Sequence, residues 1–319
     1  MRLVLAGTPE VALPSLEALV ASDHDVVGVV TRPDARAGRG RTLVASPVAQ
    51  RAEQLGIPVL KPAHPRDEDF QAELKALEPD CCPTIAYGAL LPQSALDIPT
   101  YGWVNLHFSA LPAWRGAAPV QHAIWAGDEV TGATTFSIVR ELDAGPVFGV
   151  MTERIRPRDT SADLLERLAE GGAQLLVATL DAIESGEIDA RPQPGDGVTY
   201  APKIETADAQ VNWTAPAIGI DRAVRAFTPA PGAWTMWQGE RLGLGPLVPD
   251  DAATGADGSP LDLGPGELHA TKKTVHVGTG RGVLRLIEVK PPGKKLMPAA
   301  DWARGARVAE QPGARLEHA

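Results

Sequence analysis

Cysteine is nearly missing from this chain: 319 residues contain two, Cys81 and Cys82, and they are neighbours. Adjacent cysteines suit neither a structural disulfide nor a chelating metal pair, so both are expected as small buried residues, with no metal site. Long apolar runs are missing as well. None approaches the roughly 20 residues that cross a bilayer. The opening MRLVLAGTPE holds four apolar residues between an Arg and a Gly, which fits a first strand and not a signal peptide. A cytoplasmic protein without membrane contact is therefore expected. Nucleotide signatures are lacking too. AGTPE has no second or third glycine of the dinucleotide fingerprint, and no GxxxxGK[ST] occurs, so NAD and ATP are unsupported. Ser109 lies outside any GxSxG elbow, which removes the serine-hydrolase reading.

What is present is enough for a large or a double core, with 44% hydrophobic and 22% charged residues; two domains are expected. The net charge of −10 argues against nonspecific nucleic-acid binding by the whole protein. That sum is uneven along the chain. Residues 1–203 carry all of it, whereas 204–319 balance at thirteen basic against thirteen acidic residues. Within the latter, 268–307 has nine Lys or Arg and only Glu288 and Asp301 as acids, so a local basic face is available.

RLVLA at 2–6, a helical spacing through Leu13, Leu16 and Leu19, and DVVGVV at 25–30 form a βαβ unit. Its Val-rich strands suit a parallel sheet covered on both faces. Further strands are expected at 58–60, 84–91, 103–107 and 133–139, and a long helix capped by Ser161 from about 162 to 183. ARPQPGDG, at 190–197, breaks the pattern and is expected as a linker. A short helix near 217–227 and strand-like runs at 241–245, 274–278 and 283–289 suggest a small β-barrel, with 250–267 as a long loop within it. The expectation is thus an α/β, Rossmann-like domain with a parallel-rich sheet at 1–189, a linker at 190–203 and an OB-like β-barrel domain at 204–319.

The chemistry concentrates in NLHFSALPAWRGAAP, residues 105–119. If WVNLH is a strand, Asn105 and His107 project from one face at its C-terminal end, where open α/β sheets place their ligands. An amide and an imidazole side by side can donate hydrogen bonds to an oxygen that becomes negative during acyl transfer. ELDAGPV, after the 133–139 strand, supplies a carboxylate partner in Asp143, beside small residues that let a substrate approach. Taken singly, His107 reads as a core histidine, Asp143 as a turn residue, and Trp114 with Arg115 as a loop anchor.

AGTPE, TRPDARAGRGRTLVASPV, AYGALLP, VNLHFSALPAWRGAAPVQ, LDAGP and PPGKKLM occur here in the order, and over nearly the full length, in which they occur in methionyl-tRNA formyltransferases. The chain resembles that family, within the folate-dependent formyltransferases. One departure is visible, since many members read His-Gly-Ser where this chain has His107-Phe108-Ser109. The resemblance implies transfer of the formyl group of 10-formyltetrahydrofolate to the α-amino group of initiator methionyl-tRNA, without a metal. It implies that Asn105 and His107 stabilise the oxyanion while Asp143 orients His107 and moves protons. It further implies folate contacts by Ser109, Ala110, Leu111 and Pro112 and by Ala86, Tyr87, Gly88 and Leu90. In that frame Arg32, Arg36, Arg39 and Arg41 form a cationic arm for tRNA, with Lys294 and Lys295 on the second domain. Nothing in the sequence demands more than a monomer. Two rivals stand beside this reading. A formyltransferase for a small amine, such as an amino-sugar nucleotide or glycinamide ribonucleotide, would keep Asn105, His107 and Asp143 without needing the basic segments. A noncatalytic tRNA-binding protein would need only the basic segments.

Overall fold

The computed structural model describes residues 1–37, 42–255 and 257–317. The chain divides into two compact units, the first Met1–Pro119, Val130–Arg154 and Leu165–Ala201, the second Val120–Glu129, Ile155–Leu164 and Pro202–Ala319.

The first unit is built on a seven-stranded sheet. Its strands are β1 (Arg2–Gly7), β2 (Asp25–Val30), β3 (Val59–Leu60), β4 (Cys82–Ile85), β5 (Trp103–His107), β6 (Val130–Ser137) and β7 (Val147–Arg154), in spatial order β3-β2-β1-β4-β5-β6-β7. The first five are parallel. β6 runs antiparallel to β5, and β7 runs antiparallel to β6 and so returns to the common direction. Leu3, Val4, Leu5 and Ala6 are wholly buried, which is what a continuous apolar run in a two-faced parallel sheet predicts. The strand order reverses on either side of β1, so the ends of β1 and β4 flank the crevice where such sheets take ligands.

Two expectations about strands are corrected. The strand expected at 84–91 stops at Ile85, because Ala86 and Gly88 adopt positive φ of 47° and 81°, incompatible with extended pairing. β7 was not anticipated; its signal is the alternation of exposed Val150, Thr152 and Arg154 with half-buried Met151 and Glu153. The long helix spans Ser161–Ser185, and its cap is Thr160 rather than Ser161. Thr160 N and Oγ1 donate to Asp163 Oδ2 at 2.9 and 2.6 Å, and Asp163 N donates back to Thr160 Oγ1. This is a reciprocal capping arrangement. The Ser161 hydroxyl instead donates to the Thr228 carbonyl.

The second unit carries two antiparallel four-stranded sheets. One joins Trp234–Trp237, Glu240–Leu244, Glu288–Lys290 and Met297–Pro298, the other Leu247–Pro249, Val283–Leu286, Val275–Gly278 and Leu268–Ala270. Antiparallel strands were expected here, and they divide between two sheets. Trp213 is fully buried and donates its indole N–H to Thr235 Oγ1 at 2.9 Å. The helix Ala217–Ala226 buries Asp221, whose carboxylate takes Arg225 at 2.9 Å and Arg158 at 2.8 Å. Among the described residues no helix is long and apolar enough to cross a membrane.

The Pro- and Gly-rich stretch after the long helix is irregular, as its composition dictates, yet it is tied down along the first unit. Arg191 bridges Val147 in antiparallel fashion, and Tyr200 bridges Arg115 in parallel fashion. Ala201 N donates to the Arg115 carbonyl at 2.8 Å, and Ala118 N donates to the Ala201 carbonyl at 3.1 Å.

Candidate active site

β5 places its residues as the period of a strand requires. Asn105 and His107 share one face, and the register sets Asn105 opposite Phe136 and His107 opposite Thr134 on β6. Phe136 therefore joins that face, and its ring meets the imidazole edge-on at 6.4 Å between centroids. Asn105 is half-buried, and its amide takes no hydrogen bond among the described residues.

Asp143 reaches His107 by a route the sequence did not suggest. β6 is antiparallel to β5, so Ser137 at its end lies opposite Val104, at the start of β5. The loop after β6 must then return toward His107, and it brings Asp143 Oδ2 to 3.9 Å from His107 Nδ1. That separation is longer than a hydrogen bond and becomes an ion-pair contact only when the ring is protonated. Asp143 has φ 48°, a left-handed conformation that Asp tolerates better than most residues. Its Oδ2 accepts the Gly116 N–H at 2.8 Å.

His107 is buried, and its Nε2 lies 2.8 Å from the carbonyl of Trp114. A carbonyl only accepts, so Nε2 carries a proton and donates it there. Nδ1 is then the atom facing the carboxylate. Burial pushes the imidazole below its ordinary value, against the upward pull of Asp143 and of the Trp114 carbonyl. Around neutrality His107 is accordingly a neutral imidazole with an open Nδ1 lone pair.

The turn after β5 is closed by its own groups. Ser109 is fully buried; its hydroxyl donates to the Ala113 carbonyl at 2.6 Å, and its carbonyl accepts Thr134 Oγ1 at 2.7 Å. Leu111 N donates to Thr134 Oγ1 at 3.1 Å. Ala110 and Pro112 remain half-exposed, whereas Leu111 is buried. Phe108 is buried too, so the residue that departs from the familiar motif packs into the protein. Arg115 is buried and anchors the loop: Nε and Nη2 donate to Gln193 Oε1 at 3.1 and 2.7 Å.

The segment after β4 splits in character. Ala86, Gly88 and Leu90 are exposed, Leu90 by 82%. Tyr87 is 2% exposed and packs with Val4, Phe70, Leu74 and Trp103 in the sheet core. Burial raises its phenol, partly offset by the Arg32 guanidinium. Its side chain is thus core and is not presented to a ligand. Thr8, just past β1, donates its hydroxyl to the Tyr87 carbonyl at 2.9 Å and accepts Arg32 N at 3.2 Å. The ends of β1, β2 and β4 are stitched together in this way.

Of the expected tRNA contacts, Arg32 is half-buried and reaches the Ala63 carbonyl at 3.3 Å, while Arg36 is exposed in the strand Ala35–Ala37. Arg39 and Arg41 lie outside the described residues. Lys294 and Lys295, in the second unit, are exposed in the turn between Glu288–Lys290 and Met297–Pro298. Sequence reasoning missed Phe136, Thr134 and Gln193. An open cavity of ≈400 Å³, lined by Arg115, Glu141, Ala144, Pro146, Gln193 and Val198, lies beside the Asp143 loop.

A family model described as formyl transferase matches residues 1–180, and one described as formyl transferase, C-terminal domain, matches residues 203–307. The chain belongs to the formyl transferase family. Among curated relatives, this formyl transferase is 69% identical to the methionyl-tRNA formyltransferase of a Nocardioides species, over 99% of this chain and 98% of that protein. It is 65% identical to the methionyl-tRNA formyltransferase of Thermobifida fusca, over 97% of this chain and 98% of that one. Among solved structures, HypX from Aquifex aeolicus in complex with tetrahydrofolic acid superposes with a TM-score of 0.66 at 21% identity, covering 95% of this chain and 46% of HypX. The N-formyltransferase of Helicobacter canadensis, solved with folinic acid and dTDP-3-aminofucose, also gives 0.66, at 16% identity over 89% of this chain and 97% of that one. At such identities the likeness of this formyl transferase to solved structures is one of fold.

Proposed function

We propose that this chain transfers the formyl group of 10-formyltetrahydrofolate to the α-amino group of methionine esterified to initiator tRNA. The observation that carries the reading is 69% identity, over 99% of the chain, to a protein named methionyl-tRNA formyltransferase. The convergence of His107 and Asp143 on the face that bears Asn105 supplies the chemistry. Bound formyltetrahydrofolate supplies a formyl group whose oxygen becomes negative when the amine attacks. An Asn105 amide without a hydrogen bond among the described residues fits that need, because it can donate to the oxygen without first giving up one of those contacts. The backbone of 86–90 and the turn 109–112 hold the folate in this reading, with Ala86, Gly88 and Leu90 presenting open surface and Ser109 and Leu111 acting as the turn's framework.

An α-amino group has an unperturbed pKa of about 7.7 to 8, so a useful fraction is already a neutral nucleophile near pH 7. The remaining task is polarisation and proton movement. In this reading His107 Nδ1, unprotonated and facing Asp143, takes the proton of the attacking amine. The imidazolium so formed adds positive charge beside the developing oxyanion, Asp143 stabilises it, and the proton can pass on to the leaving nitrogen.

The acceptor is recognised through Arg32, Arg36, Arg39 and Arg41 and through Lys294 and Lys295, in a cytoplasmic monomer divided into a catalytic domain at 1–189, a connection at 190–203 and an OB-like tRNA-binding domain at 204–319. The test is incubation with 10-formyltetrahydrofolate and methionylated initiator tRNA, followed by assay for formylmethionine. Absence of product from folded protein overturns the proposal.

A further inference from the structure

We infer that Gln193 is a positioning residue for Asp143, and that the strap 191–201 is the part of the active site that fixes the carboxylate's position. The inference deepens the reading above and rests on it. Gln193 Nε2 donates to the Asp143 carbonyl at 2.8 Å and to the Gly145 carbonyl at 2.9 Å. Its Oε1 accepts Arg115 Nε and Nη2. A primary amide has two N–H donors and two acceptor lone pairs, so this carboxamide is fully used. Its orientation follows from its partners, since a flip would set N–H groups against a guanidinium and an oxygen against two carbonyls.

The contact lands where it matters. Asp143 holds a left-handed backbone, which persists in a non-glycine residue only where its surroundings enforce it. Gln193 grips its carbonyl and that of Gly145, on both sides of Ala144. The ring closes through Arg115, because the next residue, Gly116, donates its N–H to Asp143 Oδ2. Three segments are joined in this ring, and the strap is itself anchored. Thr199 accepts Arg115 N on its carbonyl at 2.9 Å and Trp114 N on its hydroxyl at 2.8 Å. The sequence also prepares Gln193 locally. It lies between Pro192 and Pro194, so the φ of both neighbours is fixed and its own backbone is biased away from the helical region. The stretch 181–202 falls between the two family-model matches, so neither covers this residue.

The test compares Gln193→Ala and Gln193→Glu with wild type. Glutamate keeps the length and the Arg115 end but places an oxygen against the two carbonyls. For both variants kcat for formylation should fall by about tenfold or more, while KM for folate donor and for tRNA stays within about twofold. A readout independent of turnover is the NMR titration of His107. In Gln193→Ala it should move to lower pH, because the Asp143 charge is no longer held beside the ring. Unchanged titration with kcat near wild type overturns the inference, even if stability falls. If Gln193→Ala does not fold, Gln193→Glu decides the matter, and full activity there overturns it. If wild type forms no formylmethionine, the proposed function fails while the His107 titration still decides the role of Gln193.

Discussion

Gly116→Ala tests the geometry of the candidate site at its tightest point. Gly116 has φ +126°, and a Cβ there would sit 2.6 Å from the Ala201 carbonyl oxygen, below the 3.0 Å that real Cβ contacts respect. The obstacle is backbone, and it cannot swing aside: Ala201 is paired in both directions, to the Arg115 carbonyl and to Ala118 N. Relief therefore comes from Gly116, whose N–H holds Asp143 Oδ2 at 2.8 Å. Backbone strain of this kind costs about 1 to 3 kcal/mol. A hydrogen bond to a charged group contributes about 1.5 to 3 kcal/mol more when it is lost. A displaced carboxylate matters more for rate than for stability, since misplacing a reacting group by about 1 Å can lower the rate on the order of 100-fold. The assay is single-turnover formylation of methionyl initiator tRNA at saturating donor, with urea unfolding of the same preparation. Gly219→Ala is the control; it lies in the helix Ala217–Ala226, and beyond that helix's own backbone and the adjacent residues nothing among the described residues comes within 4 Å of a new Cβ. It should hold activity and add about 0.5 to 1 kcal/mol of stability. A folded Gly116→Ala enzyme with wild-type turnover would refute the reasoning that this N–H sets the position of Asp143.

Other outcomes follow from burial and charge. Because burial lowers the affinity of His107 for protons, its contribution to stability is present above the ordinary value of 6.5 and is lost as pH falls through the folded value. Urea midpoints should drop between pH 7 and 5, less steeply for His107→Gln, and equal slopes for the two would contradict the assignment. Asp221→Asn leaves the buried Arg225 guanidinium without its carboxylate, and unfolding should become easier by about 3 to 5 kcal/mol; a loss under about 1 kcal/mol would sink the claim. Burial pushes the Cys81 thiol up to about 12 and Cys82 well above its usual value. Native protein should then resist a thiol reagent at pH 8 and react at both cysteines once denatured, and rapid native modification would show otherwise.

What the sequence disclosed, and what it hid, divides by the range of the forces involved. The β1–β2 pair, the long helix and the shared face of Asn105 and His107 follow from periodicity, which acts over a few residues. The place of the Tyr87 ring was hidden for the same reason. AYGALL looks like one continuous strand and pocket, but the positive φ at Ala86 and Gly88 ends the strand and turns the Tyr87 ring into the core. Asp143 was assigned by a resemblance and by its place after a strand, and the second ground does not by itself bring it near His107. β6 is antiparallel, so the end of that strand is at the far edge from His107, and only the returning loop brings the carboxylate back.

Gln193 shows the limit most clearly. Its neighbours Pro192 and Pro194 exclude a regular element, and composition alone reads such a stretch as a connection between domains. The same rigidity serves a different purpose once the partners are known. Between two prolines the Gln193 backbone has little freedom left to lose, so the four hydrogen bonds have mainly the rotamer entropy of the glutamine side chain to offset. Each partner is a main-chain carbonyl or a distant guanidinium, 48 to 78 positions away. Main-chain carbonyls have no residue identity, so no pattern of side chains could have marked Asp143 and Gly145 as acceptors. The positioning of the carboxylate is therefore encoded in where the strap lies, and only the tertiary structure carries that.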